Sequence, residues 1–199
     1  MIVANWKSNL PEISNFKFQI SNSLEVAVAP PFPLLSTLKG YSLCAQDVSR
    51  FESGAYTGEV SAEMLKSLGV KYCLVGHSER RKYFGETNEI IQKKVDQLKK
   101  NNIIPIACAR SLADVVAADF IMYEPEEAIS TDGQYHAEAP EKINAVLNTF
   151  PKNARLLYGG SVNPDNCKLL VSNCKLISGF VVGHASLNPE TFSQICASF

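Results

Sequence analysis

Short apolar runs alternate with one-sided helical patterns along the whole chain. The apolar runs are four or five residues long, as expected of buried strands. They lie at residues 2–6, 25–29, 42–46, 72–76, 104–108, 120–123, 155–158 and 179–182. Between them, apolar residues recur at intervals of three and four, which predicts amphipathic helices. The clearest faces are Ile13, Phe16 and Ile20; Ile91, Val95 and Leu98; Ile143, Val146, Leu147 and Phe150; Cys167, Leu170, Val171 and Cys174; and Phe192, Ile195, Cys196 and Phe199.

Strands that alternate with helices indicate a parallel sheet, and eight such units are the number that closes a (β/α)₈ barrel. The 199 residues are at the lower end of the size range of that fold. The helices after the second and fifth strands are short and weakly marked. An open, doubly wound sheet is the alternative, but the sequence NWKSN at 5–9 stands where a glycine-rich dinucleotide motif would follow the first strand. We expect one domain over residues 1–199, since no linker or low-complexity segment interrupts the pattern.

Composition and charge narrow the functional classes. The chain is 46% hydrophobic and 20% charged, with a formal charge of −1, which argues against a nucleic acid or an anionic membrane as the main partner. No apolar run is long enough to span a bilayer and Met1 leads directly into a strand, so we expect a cytoplasmic protein. The six cysteines show neither a CxxC pair nor a metal-ligand spacing. We therefore expect reduced cysteines that act as small hydrophobes, and no metal site.

Chemistry-bearing side chains cluster where the predicted strands end. The run CLVGHSERR at 73–81 changes from buried strand to an imidazole, a hydroxyl, a carboxylate and two guanidinium groups. Carboxyl ends of parallel strands are where such proteins bind ligands. The residues at the strand ends are Asn5, Lys7, Gln46, His77, Glu79, Glu124, Gly159, Gly160, Ser161, Gly183 and His184. Each alone has an ordinary structural explanation, but their joint placement indicates a site.

Two glycine-containing turns predict the kind of ligand. YGGSV at 158–162 and VGHAS at 182–186 expose backbone N–H groups that a ligand can approach closely. In (β/α)₈ barrels the loops after the seventh and eighth strands commonly bind phosphate. The sequence therefore predicts a small phosphorylated substrate, held without a metal or an organic cofactor.

Six motifs in order carry a close resemblance to a known family. They are NWK at 5–7, AQDVSRFESGAYTGEVS at 45–61, VGHSERR at 75–81, YEP at 123–125, YGGSVNPDN at 158–166 and GFVVGHASL at 179–187. With them, nearly the whole chain resembles the triosephosphate isomerases. The resemblance implies a (β/α)₈ barrel that interconverts dihydroxyacetone phosphate and D-glyceraldehyde 3-phosphate, a step of glycolysis and gluconeogenesis, without a cofactor.

The resemblance also implies roles for particular residues. Glu124 would move the proton between the two carbons, and neutral His77 would polarise the carbonyl. Lys7 and Asn5 would stabilise the enediolate, while Glu79 would orient Lys7. The phosphate would be held by Ser130, Gly160, Ser161, Gly183 and His184. The lid that closes over the substrate would contain Pro125, Glu126, Glu127, Ala128, Ile129 and Thr131.

The family resemblance further implies a homodimer. The loop at 47–59, which follows Gln46 and the third predicted strand, would insert beside the active site of the partner subunit. Thr57 is the residue expected to reach across. The expected partners are thus the triose phosphate substrate and a second copy of the chain, with neither nucleic acid nor a membrane.

Three features depart from the family pattern. The CxGE motif of the family is replaced by CARS at 108–111, and the crossover that follows has little more than residues 112–118. The lid carries Glu126 and Glu127, whose charges would oppose closure over a phosphate by about 1 kcal/mol each. His184 occupies the second position of a usual Gly-Gly pair. A positive φ there would strain a histidine, whereas its imidazolium would assist phosphate binding.

The motifs favour an active isomerase. One alternative is a phosphosugar-binding or structural barrel whose lid fails to close. Another is an enzyme that releases the enediolate early, so that phosphate is eliminated to give methylglyoxal. Turnover, phosphate release and binding of a phosphorylated analogue distinguish the three.

Overall fold

The computed structural model describes residues 1–12, 24–125 and 138–199, and it contains a closed barrel of eight parallel strands in chain order. Each strand pairs with its neighbours in sequence, and the last pairs with the first. The strands are β1 Ile2–Asn5, β2 Val26–Ala29, β3 Ser42–Ala45, β4 Val70–Val75, β5 Ile104–Ala109, β6 Phe120–Tyr123, β7 Arg155–Tyr158 and β8 Ile177–Val182. The predicted (β/α)₈ barrel is confirmed, and an open doubly wound sheet is excluded.

Two strands begin earlier than the apolar pattern predicts. β4 and β8 each start two residues before the predicted position, and Lys71 and Ser178 are exposed within those extensions. A polar residue whose side chain faces solvent interrupts an apolar run without ending the ladder of hydrogen bonds. Hydrophobic periodicity therefore misses the first two residues of each of these strands.

Helices cover the outside of the barrel. They are α1 Phe32–Leu35, α2 Ala62–Ser67, α3 Ser78–Phe84, α4 Asn88–Lys100, α5 Pro140–Leu147, α6 Cys167–Asn173 and α7 Pro189–Cys196. Two 3₁₀ turns, Leu112–Asp114 and His184–Leu187, follow β5 and β8. The predicted apolar face of α4 is buried, as are Phe192, Ile195 and Cys196 of the α7 face, but Phe199 lies beyond the end of α7 and is exposed. The predicted face at Ile13, Phe16 and Ile20 lies outside the described residues.

Two apolar layers result from this arrangement. One fills the barrel interior, where Tyr72, Ile106, Phe120 and Leu157 are buried and the rings of Tyr72 and Phe120 meet edge to face. The other lies between the strands and the helices. Because side chains fill the interior, a ligand has access only at the ends of the barrel. All six cysteines are buried and free, in keeping with a role as small hydrophobes.

The connection between β5 and β6 is the shortest between consecutive strands, with the twelve residues between β2 and β3 next in length. Its ten residues, 110–119, contain one 3₁₀ turn and no α-helix. Val116 is buried against the outer core, and β5 and β6 still pair over four residues, from Ile106–Phe120 to Ala109–Tyr123. Within the ranges that the structure describes, no helix is both long and apolar enough to cross a membrane.

Candidate active site

Asn5 and Lys7 form the first corner of a site at the carboxyl ends of the strands. The side-chain oxygen of Asn5 accepts a hydrogen bond from the backbone N–H of Lys7 at 3.1 Å. Lys7 lies in the left-handed region, with φ of 50°, a conformation that costs a non-glycine residue about 1 kcal/mol or more. Gln46 supports it, because its Nε2 donates to the carbonyls of Lys7 and Ala29 at 2.8 Å each. The Lys7 ammonium is paired with Glu79 Oε1 at 2.7 Å.

His77 is positioned by the sharp turn between β4 and α3. Gly76 has φ of 68°, and a Cβ at that position would lie 2.5 Å from Cδ1 of Ile91. The imidazole caps α3, since Nδ1 accepts from the backbone N–H of Glu79 at 3.3 Å. A nitrogen that accepts cannot carry the proton of a neutral ring, so neutral His77 is the Nε2–H tautomer. Nε2 of His77 lies 2.8 Å from Oε1 of Glu124.

Glu124 follows β6 directly and is only 2% exposed. Its other oxygen, Oε2, accepts from the backbone N–H of Ser78 at 2.9 Å. Burial alone would raise the pKa of Glu124, but His77 and the Ser78 amide lower it below its ordinary value. These contacts favour the ionised carboxylate and hold it against the start of α3.

The protonation of His77 depends on the same contact. Burial would lower the pKa of His77, but the carboxylates of Glu124 and Glu79 raise it above its ordinary value. Lys7 opposes that rise. Removing Glu124 from the contact would leave burial as the dominant influence, which favours the neutral ring.

The predicted phosphate residues lie at the ends of β7 and β8. Gly160 is buried and Ser161 has φ of 32°, and the carbonyl of Ser161 accepts from Nδ2 of Asn166 at 2.9 Å. A Cβ built on Gly183 would lie 3.7 Å from Lys7 Cε, so the β8 turn is adjacent to the Lys7 corner. His184 begins the 3₁₀ turn. The non-glycine residues with positive φ in the described ranges are Lys7, Asn102 and Ser161, so the strain considered for His184 is absent.

The predicted lid lies almost wholly outside the described residues. Pro125 is buried beside Glu124. The other lid residues and the predicted phosphate ligand, namely Glu126, Glu127, Ala128, Ile129, Ser130 and Thr131, fall in the segment 126–137 that the structure does not describe. Their roles remain predictions.

A ring of ion pairs behind the site was not predicted from the sequence. Asp47 pairs with Arg80 at 2.9 Å and with Lys94 at 2.6 Å, and Glu86 pairs with the same two cations. Glu86 and Lys94 are 7% and 5% exposed, whereas the Arg80 side chain is 30% exposed, so the ring is buried on its Glu86–Lys94 side and reaches solvent at Arg80. It ties the start of the loop after β3 to α3 and α4. The signal available in the sequence was Arg80 with Glu86 six residues further on, but Asp47 is far away along the chain.

The predicted dimer loop and a neighbouring cavity lie on the same side of the barrel. Thr57 is exposed, and nearby the rings of Phe51 and Tyr56 stack at 4.2 Å. A cavity of about 380 Å³ opens beside Lys7 and His77, and its rim includes Phe32 and Phe84. Phe84 is 68% exposed at this rim.

The fold and the site together define the chain as a (β/α)₈-barrel protein with a buried glutamate–histidine pair and a paired lysine at the carboxyl ends of its strands. The triosephosphate isomerase family model matches residues 1–114 and 109–199. The chain belongs to the triosephosphate isomerase family.

Three relatives support this assignment, and each bears the name triosephosphate isomerase. The chain is 37% identical over 236 residues to the protein of Mesomycoplasma hyopneumoniae strain 232, covering 98% of this chain and 97% of the relative. It is 36% identical over 245 residues to that of Paracidovorax citrulli, covering 100% and 97%. It is 38% identical over 214 residues to that of Citrifermentans bemidjiense, covering 87% and 85%.

The lengths of these alignments show that this chain is short for its family. The alignment with the Mesomycoplasma protein spans 236 positions, and because the chain has only 199 residues, at least 37 positions have no counterpart in it. The two stretches matched by the family model meet at 109–114, within the short connection between β5 and β6.

Proposed function

We propose that this chain interconverts dihydroxyacetone phosphate and D-glyceraldehyde 3-phosphate, with Glu124 as the base that moves the proton. The observation that carries the proposal is the buried contact between Glu124 Oε1 and His77 Nε2 at 2.8 Å. One carboxylate and one N–H donor thus lie within the span of a single three-carbon substrate. Proton abstraction beside a carbonyl requires both groups.

In the proposed cycle, Glu124 leaves His77 and Ser78 when substrate binds. The contacts that lower its pKa are then lost while burial remains, so the carboxylate becomes a stronger base. His77, freed from Glu124, directs its Nε2–H at the substrate oxygen as a neutral donor. The contact in the present structure therefore represents the resting arrangement.

The enediolate charge is assigned to Lys7 and Asn5. The Lys7 ammonium already has Glu79 at 2.7 Å, and its backbone is fixed by Asn5 and Gln46. Glu79 therefore acts through Lys7, by fixing the position of the ammonium. Because the ammonium is already in position, the protein does not have to rearrange when negative charge develops on the enediolate.

The phosphate is assigned to Gly160, Ser161, Gly183 and His184. The turn after β8 lies next to Lys7, which supports this assignment. The phosphate would then bind at a strand end that neighbours the one where the carbons react. Ser130 and the lid residues enter the proposal from the sequence alone. The reaction needs no cofactor, and we place the enzyme in the cytoplasm as a single domain.

We also propose that two chains associate through the loop after β3. The cavity rimmed by Phe32 and Phe84 is open to a protruding segment, and Thr57 is exposed on such a loop of the same chain. A mutual insertion satisfies the two-fold symmetry of most small oligomers. Light scattering at micromolar concentration should give twice the chain mass. A monomeric mass would contradict the dimer.

The activity is tested in a coupled assay with glyceraldehyde 3-phosphate. We expect turnover by the native chain and by Glu141→Gln, an exposed glutamate on α5 that serves as the matched control. Glu124→Gln should lose about 10³-fold or more in kcat, since it removes the base. Binding of a phosphorylated analogue without turnover by the native chain would contradict the proposal in favour of an inactive barrel. Release of inorganic phosphate as the main product would instead indicate elimination to methylglyoxal.

A further inference from the structure

The short connection between β5 and β6 is joined directly to the turn that carries His77. The joining side chain is Arg81, which is 6% exposed. Its Nε donates to the carbonyl of Gly76 at 3.0 Å, and Gly76 immediately precedes His77. Its Nη2 donates to the carbonyls of Cys108 at 3.3 Å and Asp114 at 3.0 Å. One guanidinium therefore links the ends of β4 and β5 to the crossover.

Asp114 supplies the charge that this buried guanidinium requires. Its carboxylate lies 3.4 Å from Arg81 Nη1, and it is the one carboxylate within ion-pair distance of Arg81 among residues 1–12, 24–125 and 138–199. The same carboxylate accepts from the Arg110 backbone N–H at 3.1 Å and from Arg110 Nε at 2.6 Å. A buried cation without a partner is strongly destabilised, so the location of Arg81 depends on Asp114.

A second contact fixes the crossover from the helix side. Asn88, at the start of α4, accepts from Arg81 Nη1 at 2.8 Å and donates to the carbonyl of Ala113 at 2.7 Å. Arg81 and Asn88 thus hold both the side chain and the backbone of the 3₁₀ turn. These hydrogen bonds hold the connection between β5 and β6, which contains no α-helix.

We propose that Asp114 is a positioning residue of the active site, acting through Arg81 on the Gly76–His77 peptide. The proposal rests on the function proposed above. The peptide before His77 helps to set the direction of the imidazole, because the other contacts of the ring among the described residues are with Glu79, through its amide and its carboxylate, and with Glu124, which leaves during the reaction. Without Asp114, Arg81 would turn towards solvent and release the Gly76 carbonyl. The Nε2–H would then be misdirected while the phosphate residues on β7 and β8 stay in place.

The test compares Asp114→Asn with Asp119→Asn. Both remove one carboxylate from the same connection, but Asp119 is exposed and none of the ion pairs described here involves its side chain. Asp114→Asn should lower kcat about tenfold and leave KM within about twofold, and Asp119→Asn should match the native chain in both. Asp114→Glu, which keeps the charge, should recover part of the lost kcat. A native kcat in Asp114→Asn, with only a lower melting temperature, would overturn the proposal.

A spectroscopic measurement separates this inference from the proposed activity. The chain has three histidines, so ¹⁵N-labelled imidazole signals are readily resolved and assigned with a His77→Gln variant. Asp114→Asn should shift the His77 signals and leave those of His184 unchanged, whether or not the native chain turns over substrate. Unchanged His77 signals would overturn the positioning role. An inactive native chain would instead refute the proposed function.

Asn88→Ala provides a milder variant in case Asp114→Asn does not fold. It removes one hydrogen bond to Arg81 and one to the crossover at a half-buried surface position. We expect kcat to fall two- to threefold with KM unchanged, together with a smaller shift of the same His77 signals. A native kcat together with unshifted His77 signals would contradict the proposal.

Discussion

Replacing Gly76 by alanine should destabilise the barrel far more than the same change at Gly69. The two glycines flank β4, and both have a positive φ, of 68° and 77°. At Gly69 nothing lies within 4 Å of an added Cβ, whereas at Gly76 the Cδ1 of Ile91 would be 2.5 Å away. Gly69→Ala is therefore a matched control that carries the backbone penalty without the clash.

The expected magnitudes follow from these two terms. An L-residue in the left-handed conformation costs ~1–2 kcal/mol, partly offset by the lower entropy of the unfolded chain. Overpacking a buried site adds ~1–3 kcal/mol. We therefore expect Gly69→Ala to lose ~1 kcal/mol of unfolding free energy, and Gly76→Ala to lose ~2–4 kcal/mol.

A double-mutant cycle isolates the clash. Ile91→Val removes the Cδ1 that the new methyl would meet, and alone it should cost ~1 kcal/mol as a buried truncation. Combined with Gly76→Ala it should recover at least ~1 kcal/mol relative to the sum of the two single changes. Urea unfolding at a fixed protein concentration measures all four proteins. Equal losses at Gly76 and Gly69, or strict additivity in the cycle, would refute the steric reasoning.

The ion ring and the Lys7 corner give two further predictions. Burial alone would raise the pKa of Glu86, but Lys94 and Arg80 lower it below its ordinary value. The ionised Glu86 therefore stabilises the fold at any pH above the ordinary pKa. This stabilisation is lost as the pH falls through the lowered pKa of the folded state. Glu86→Gln should thus lower the unfolding free energy by ~3 kcal/mol at pH 7, and urea unfolding at a pH below the lowered pKa should show a much smaller difference; a constant difference would contradict the pairing. Gln46→Ala should release the strained backbone of Lys7 and lower kcat/KM about tenfold in the coupled assay, whereas an unchanged kcat/KM would show that Asn5 and Glu79 suffice.

The barrel was predictable because its determinants are local. Alternating strands and helices follow from periodicity, and Glu124 and His77 stood out because each follows a buried strand directly. The starts of β4 and β8 were predicted two residues too late, because one exposed polar residue interrupts each apolar run. The apolar pattern indicates which side chains are buried. It does not show where the hydrogen bonds between strands begin, and these can extend past an exposed residue.

The contacts that organise the site were not predictable in the same way. The Ser78 amide that holds Glu124 is a backbone group, so no residue type marks it. Asp47 and Lys94 are 47 residues apart in sequence, and only the closed barrel brings them to 2.6 Å. Asp114 was not singled out from the sequence, because its importance depends on the buried guanidinium of Arg81.

Deuterium incorporation reports whether Glu124 carries the proton between the substrate carbons. A carboxylate that holds the proton exchanges it with solvent, so turnover in D₂O places deuterium on carbon. Proton NMR of dihydroxyacetone phosphate incubated with the native chain should show deuterated product and recovered substrate, whereas Glu124→Gln should show neither above background. Exchange by Glu124→Gln at the native rate would contradict the account.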